Sequence, residues 1–110
     1  MGVTKEELFS IEQNQLAKMA KALGHPARIA ILQVLIRQNS CYNGDLVEEL
    51  GLAQATISQH LRELKDVGII VGNIEGVSVN YCINASKWKE IQDLFNMMFS
   101  QFECNDDSCC

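Results

Sequence analysis

No apolar run in the 110 residues approaches the roughly 18 needed to cross a bilayer, so a membrane span is not expected. Cations are scarce: nine Lys and Arg stand against fourteen Asp and Glu, for a net charge of −5. Phosphate contact needs Lys and Arg, so this balance argues against a tight non-specific hold on nucleic acid. The acids are unevenly placed, however. Glu103, Asp106 and Asp107 fall in the last eight residues, which leaves −2 on residues 1–102. No Cys-x-x-Cys pair, no base poised beside a nucleophile and no cofactor fingerprint occurs, which places a thiol enzyme last among the function classes. The opening MGVTKEELFS is polar and mixed in charge rather than a signal peptide, so the expected compartment is the cytoplasm. The five cysteines are an odd number, which in such a chain argues against a disulfide framework. The length corresponds to one domain, able to bury roughly two-thirds of its unfolded surface.

What is present centres on NGDLVEELGLAQATISQHLRELKDV, residues 43–67. A short helix over residues 45–50 can be capped by Asn43. Gly51 then ends it in the left-handed conformation. A second helix starts at Ala53 or Gln54 and runs to Val67. Its apolar positions Ile57, Leu61 and Leu64 share one face, with Gln59, Arg62 and Asp66 opposite. This is a helix-turn-helix pattern. Its second helix would enter the major groove of DNA, with small polar side chains at its start reaching base edges. Gln54, Thr56, Ser58 and Gln59 are the candidate base readers. Arg62 and Lys65 are the phosphate candidates, with Arg28 and Arg37 as further cations. With so few positive charges, binding must lean on base contacts, backbone N–H groups and dimerisation.

Residues 5–23 read as one helix, with Leu8, Ile11, Leu16, Met19, Ala20 and Leu23 on a buried face. Gly24-His25-Pro26 breaks it, and Pro26 suits the first position of the next helix. That helix reaches Arg37. Ile29, Ile31, Leu32, Val34, Leu35 and Ile36 make it central and buried on most sides. Residues 38–42 read as a loop containing Cys41. Beyond Gly68, residues 69–73 and 77–83 form a hairpin around Ile74-Glu75-Gly76. Val77, Val79, Tyr81 and Ile83 alternate there with Ser78, Asn80 and Cys82. Such a hairpin is a wing, and Asn73, Ser78 or Asn80 are its candidate phosphate contacts. Asn84 or Ser86 caps a last helix to Phe102, along which Trp88, Ile91, Phe95, Met98 and Phe102 form a coiled-coil-like seam. No internal partner is evident for both this helix and the first. They are therefore expected to pair across a two-fold axis through Leu8, Leu16, Met19, Trp88, Ile91, Phe95, Met98 and Phe102. The fold class is thus mainly α with a small β-hairpin, a winged helix-turn-helix in a homodimer. The dimer would set two recognition helices about one DNA turn apart on a palindromic site. Residues 1–102 form this domain, and residues 103–110 a Cys-rich acidic tail.

The order of elements, with ALGHPARIAILQVL, GDLVEELGLAQATISQHLRELKDVGII and GNIEGVSVNYCI, resembles the ArsR/SmtB family of winged-helix repressors over residues 16–102. The most specific pieces are Leu23-Gly24-His25-Pro26-Ala27-Arg28 and Gln54-Ala55-Thr56-Ile57-Ser58-Gln59-His60-Leu61, followed by Gly68-Ile69-Ile70. The resemblance implies a homodimeric repressor that leaves its operator when an inducer binds, often a thiophilic metal or metalloid. Three departures stand out. Ala53 occupies the position where the family often has a capping Ser. Tyr42-Asn43-Gly44, after a single Cys41, replaces the Cys-x-Cys of arsenic, cadmium and lead sensors. The last helix has no His, so the zinc site of that helix is missing.

The cysteines carry the remaining chemistry. Cys82, inside a strand, is expected to be a small buried hydrophobe. Cys41 is either a packing residue or a ligand that pulls on the short helix. Packing does not explain three cysteines in the tail, Cys104, Cys109 and Cys110. Thiolates select soft ions, so the candidate metal set is the three tail cysteines alone, or Cys41 together with tail cysteines of the same or the other subunit. As(III) or Sb(III) is favoured, then Cd(II) or Pb(II), and no cofactor is needed for DNA binding itself. Asp106 and Asp107 favour the protonated thiol, which disfavours oxidation chemistry but not a metal that deprotonates its own ligands. A thiol-oxidation or persulfide switch on the same repressor is one alternative. A metal buffer or protein-binding winged helix without DNA binding is another. His25 and His60 are read as turn, cap and packing residues.

Overall fold

The computed structural model describes residues 5–39, 41–42, 44–73 and 80–104, with side chains from Glu7 onward. The first helix is shorter than its periodicity suggests. Lys5–Leu8 is a 3-10 turn, and α1 spans Ile11–Leu23. Ser10 separates them: its extended backbone lets Oγ accept from the Gln13 N–H at 3.1 Å, while Gln13 Oε1 accepts from the Ser10 N–H at 2.9 Å. This reciprocal capping box satisfies two otherwise unpaired donors and fixes the helix start. The buried face of α1 is Met19 and Ala22, with Leu16 and Leu23 half-buried, while Ile11 and Ala20 are exposed.

Helix α2, Pro26–Arg37, begins as expected with Pro at its first position, and His25 Nδ1 accepts from the Ala27 N–H at 3.0 Å. Ile31, Leu32, Val34 and Leu35 are buried and form the centre of the core. Burial does not extend all round. Ile29 is 41% exposed and Ile36 53%, because a helix wall that meets the later helix over Gln54–Asp66 and the sheet leaves its opposite side to solvent.

Helix α3, Leu46–Leu50, is capped by Asp45 rather than Asn43, which lies outside the described residues. Asp45 Oδ1 accepts from the N–H groups of Val47 and Glu48 at 3.0 and 3.4 Å. Gly51, at φ +71°, closes α3 through its N–H to Val47 O at 2.8 Å. Helix α4, Gln54–Asp66, buries Ile57, Leu61 and Leu64 as its spacing requires, and His60 joins them.

The sheet holds a strand that the pattern did not reveal. Residues 41–42, read as loop, form β1 (Cys41–Tyr42), which lies antiparallel to the later wing strand. The wing strands are β2 (Ile70–Asn73) and β3 (Asn80–Ile83), and the strand order is β1-β3-β2. The expected wing tip and residues 77–79, with Glu75 and Ser78, lie outside the described residues. Gly72 sits opposite Tyr81 at φ +119°, and a Cβ there would overlap the Asn80 carbonyl oxygen. Only glycine allows β2 and β3 to approach this closely.

Helix α5, Ala85–Ser100, is capped by Asn84, whose Oδ1 accepts from the Lys87 N–H at 3.3 Å. Its inner side reaches the core through Ile91, Trp88 and Phe95. α1 and α5 pack on each other within one chain, so the first and last helices do have an internal partner. Met19 and Ile91, placed by sequence at a dimer seam, are core residues of the single chain. The outer ends remain uncovered: Leu8 is 67% exposed and Phe102 71%, and Met97, Met98 and Phe99 in the last turns of α5 are exposed as well. No helix among the described residues is long and apolar enough to cross a membrane.

Ala53 leaves the first N–H groups of α4 without a side-chain cap. Ala53→Ser is expected to stabilise the chain by about 1 kcal/mol, measured as a raised urea midpoint with unchanged slope.

Candidate nucleic-acid interface and cysteine pair

The outer side of α4 carries Gln54, Thr56, Gln59 and Arg62, all exposed, with Ser58 half-buried at its margin. The buried row Ile57, Leu61 and Leu64 forces this orientation, since a helix that commits one stripe to the core presents the opposite one to solvent. The polar side chains are linked along the helix. Gln54 Nε2 donates to Ser58 Oγ at 3.1 Å, Gln59 Nε2 donates to Glu63 Oε1 at 3.1 Å, and Arg62 Nη1 donates to Gln59 Oε1 at 3.2 Å. The amide groups of Gln54 and Gln59 are thus each held by a neighbour on α4, in two separate hydrogen-bonded sets. Both offer the donor and acceptor pair that matches an adenine edge.

The cations are used differently from the sequence expectation. Lys65 Nζ donates to the Gly72 carbonyl at 2.7 Å, which ties α4 to the first wing strand. Arg28 faces inward rather than toward a phosphate. Its Nε donates to His60 Nδ1 at 3.1 Å and its Nη1 to Ala22 O at 3.2 Å, so it joins the end of α1 to α4. Arg37 lies 3.8 Å from Glu49 in an exposed ion pair. Asn73 ends β2 in an exposed position. Glu63, missed in the sequence, is the acid that orders Gln59; its place four residues further along α4 was the available signal.

His25 and His60 behave as the turn, cap and packing residues expected. Their rings stand 4.3 Å apart. Burial, then neighbouring His25 and Arg28, holds the His60 pKa below its ordinary value. The Arg28 contact needs an unprotonated Nδ1, so His60 is neutral with its proton on Nε2.

Cys41 and Cys82 correct the sequence reading most sharply. They are direct partners across β1 and β3, with Cα atoms 4.0 Å apart, and their sulfurs are bonded. Cys82 is therefore half-buried in a cross-strand disulfide and is not a lone core thiol. The missed signal was its place on the polar side of the strand alternation, between Asn80 and the turn into α5. Cys104 is also disulfide-bonded. Disulfide sulfurs are not thiolate ligands, so Cys41 and Cys104 can hold a soft ion only when reduced. The described residues contain no group of three or more Cys, His, Asp or Glu positioned for a metal, and Cys109 and Cys110 lie outside them. Of the proposed dimer residues, Leu16, Trp88 and Phe95 are half-buried, and Leu8, Met98 and Phe102 are exposed.

The family described as "Bacterial regulatory protein, arsR family" matches residues 25–71, from the cap of α2 into β2. The HTH-type transcriptional regulator CmtR of Mycobacterium tuberculosis is 36% identical over 73 residues, covering 66% of this chain and 61% of that protein. The chain thus spans less than two-thirds of CmtR's length. The transcriptional repressor PagR of Bacillus anthracis is 30% identical over 92 residues, covering 84% of this chain and 90% of its own. The HTH-type transcriptional regulator NmtR of Mycobacterium tuberculosis is 36% identical over 69 residues, covering 63% and 57%.

The lowered His60 pKa sets a pH dependence. The unfolded chain takes up a proton near the ordinary His value of 6.5, while the folded chain resists it. Stability is therefore complete above about pH 6.5 and falls as the pH drops below it. Melting temperatures recorded from pH 7.5 to pH 5 are expected to decline for the wild type. His60→Gln, which keeps an acceptor for Arg28, is expected to flatten that decline.

Proposed function

Because the chain belongs to the arsR family of bacterial regulatory proteins, transcriptional regulators rather than enzymes, we propose that it is a homodimeric repressor released from operator DNA by a thiophilic metal or metalloid. The observation that carries the DNA-binding part is the exposed polar side of α4 away from its fully buried stripe, centred on Gln59 and Arg62 and flanked by the exposed Gln54 and Thr56. Gln54, Thr56, Ser58 and Gln59 read base edges. Arg62, Asn73 and Ser78 meet the backbone, and Lys65 holds the wing at its angle to α4.

A second copy covers the outer ends of α1 and α5. Leu8, Phe9 and Ile11 at one end, and Met98, Phe99 and Phe102 at the other, expose more large apolar side chains than scattered surface residues account for. An isologous pairing there gives the two-fold symmetry that a palindromic operator mirrors. The repressor sense is supported by the similarity to PagR, a transcriptional repressor.

The inducer is As(III) or Sb(III), then Cd(II) or Pb(II), held by reduced Cys104, Cys109 and Cys110, with Cys41 as a further thiolate. Soft sulfur donors suit these ions, and the cytoplasm is the compartment that keeps them reduced. Release is a population shift: the ion favours the dimer geometry whose recognition helices do not match the groove spacing. Operator DNA must then weaken ion binding by the same factor.

Fluorescence anisotropy on an inverted-repeat duplex from the chain's own upstream region tests the whole reading. Under phosphine reductant the wild type is expected to bind, and Gln59→Ala to bind at least about ten-fold more weakly. As(III) is expected to release the wild type but not a chain ending at Phe102. A duplex ignored by the wild type would sink the operator claim, and release of the shortened chain would sink the tail as sensor. In sedimentation, the wild type is expected as a dimer and the double variant Met98→Asp/Phe102→Asp as a monomer. A monomeric wild type overturns the two-fold arrangement.

A further inference from the structure

Cys82 has no part in the metal reading, yet its sulfur is bonded to that of Cys41. We propose that Cys41 and Cys82 form a reversible thiol–disulfide exchange site for low-molecular-weight disulfides, whose closed form clamps α3 to the wing and so tunes duplex affinity. The last clause rests on the operator reading above; the site and the clamp do not.

The placement carries the proposal. β1 has only two residues, held to β3 through the pairs Cys41 with Cys82 and Tyr42 with Tyr81. Asp45, the cap of α3, follows three residues after Tyr42, so whatever fixes β1 fixes the start of the helix-turn-helix. On its other side β3 pairs with β2, where Cys82 faces Val71 and Tyr81 faces Gly72. The Gly72 carbonyl in turn holds Lys65 of α4. The disulfide is thus a covalent link in a chain of contacts from α3 through β1, β3 and β2 to α4. The loop it closes contains α3, α4 and β2, the whole unit that would read DNA.

Besides the bond, β1 is held by its two ladder pairs with β3, by its contact with α2 and by Tyr42, which packs against the core; the disulfide adds a covalent link to these non-covalent ones. The Tyr42 and Tyr81 rings lie 6.0 Å apart, and the buried Tyr81 hydroxyl finds no hydrogen-bond partner among the described residues. Cys41 is exposed and Cys82 half-buried, which sets the order of attack. The Cys41 thiolate attacks one sulfur of the small disulfide and expels one small thiolate, leaving a mixed disulfide on Cys41. The Cys82 thiolate then attacks the Cys41 sulfur, closes the internal bond and expels the second small thiolate. The two cysteines are oxidised by two electrons, the small disulfide is reduced to two thiols, and the two thiol protons end on those products.

The test uses the 110-residue chain carrying Cys104→Ser, Cys109→Ser and Cys110→Ser, equilibrated with either oxidised or reduced glutathione. Oxidation is expected to remove two hydrogens from the intact mass. It is also expected to slow amide exchange across Tyr42–Leu50 and Asn80–Ile83 by about ten-fold, and to shift the Kd for the upstream duplex by about five-fold or more. A further Cys82→Ser change is expected to abolish all three effects. A glutathione adduct on Cys41 that never resolves, unchanged amide exchange, equal duplex affinity in both states, or effects that survive Cys82→Ser would each overturn the proposal. If the duplex is ignored in both states while the mass and exchange changes persist, the operator reading fails and the clamp stands.

Discussion

Ile57, Leu61 and Leu64 bury one stripe of α4 in the core it shares with α2, and the placement of the exposed polar side of α4 depends on that contact. A helix cannot turn its other face to a groove unless the first is held still. Each fully buried aliphatic side chain here is worth about 1.5–3 kcal/mol, more than any exposed ion pair on the surface. Arg28 adds direction to this packing. By bonding His60 and the last carbonyls of α1 together, it sets α4 against the first helix as well as the second.

The scarcity of positive charge acquires a structural meaning. Arg28 and Lys65 serve inside the architecture, and Arg37, Lys87 and Lys89 face Glu49, Glu90 and Asp93. In the proposed reading, duplex recognition by such a surface draws on amide and hydroxyl groups at base edges more than on counterion release. The pairs Gln54 with Ser58 and Gln59 with Glu63 suit that balance, because each glutamine amide is already ordered by its partner. An ordered donor loses less entropy on binding than a free one.

Much of the fold was legible because it repeats locally. The four-and-three spacing of Ile57, Leu61 and Leu64, the glycine after Leu50, the proline opening α2 and the alternation around Tyr81 each report a short-range rule of backbone and burial. Where two local rules competed, the reading slipped. The apolar period continued through Ser10, but its capping box won, and Asp45 rather than Asn43 took the cap of α3. The outer ends of α1 and α5 were correctly read as apolar, whereas Met19 and Ile91 were assigned to the wrong partner. Periodicity says which face is buried but not against what.

By itself, then, the sequence determined the helix-turn-helix, the side of α4 that faces outward and the family, since all three follow from residue type at fixed short spacing. The tertiary structure alone decided that Cys41 and Cys82 meet, that Arg28 reaches His60 and that Lys65 holds Gly72. The first two pairs join residues 41 and 32 positions apart. The third is only seven apart but spans the turn between a helix and a strand. No periodic rule extends over such joins. They exist because the collapse of α2, α4 and the sheet onto one core places otherwise unrelated stretches of chain within bonding distance.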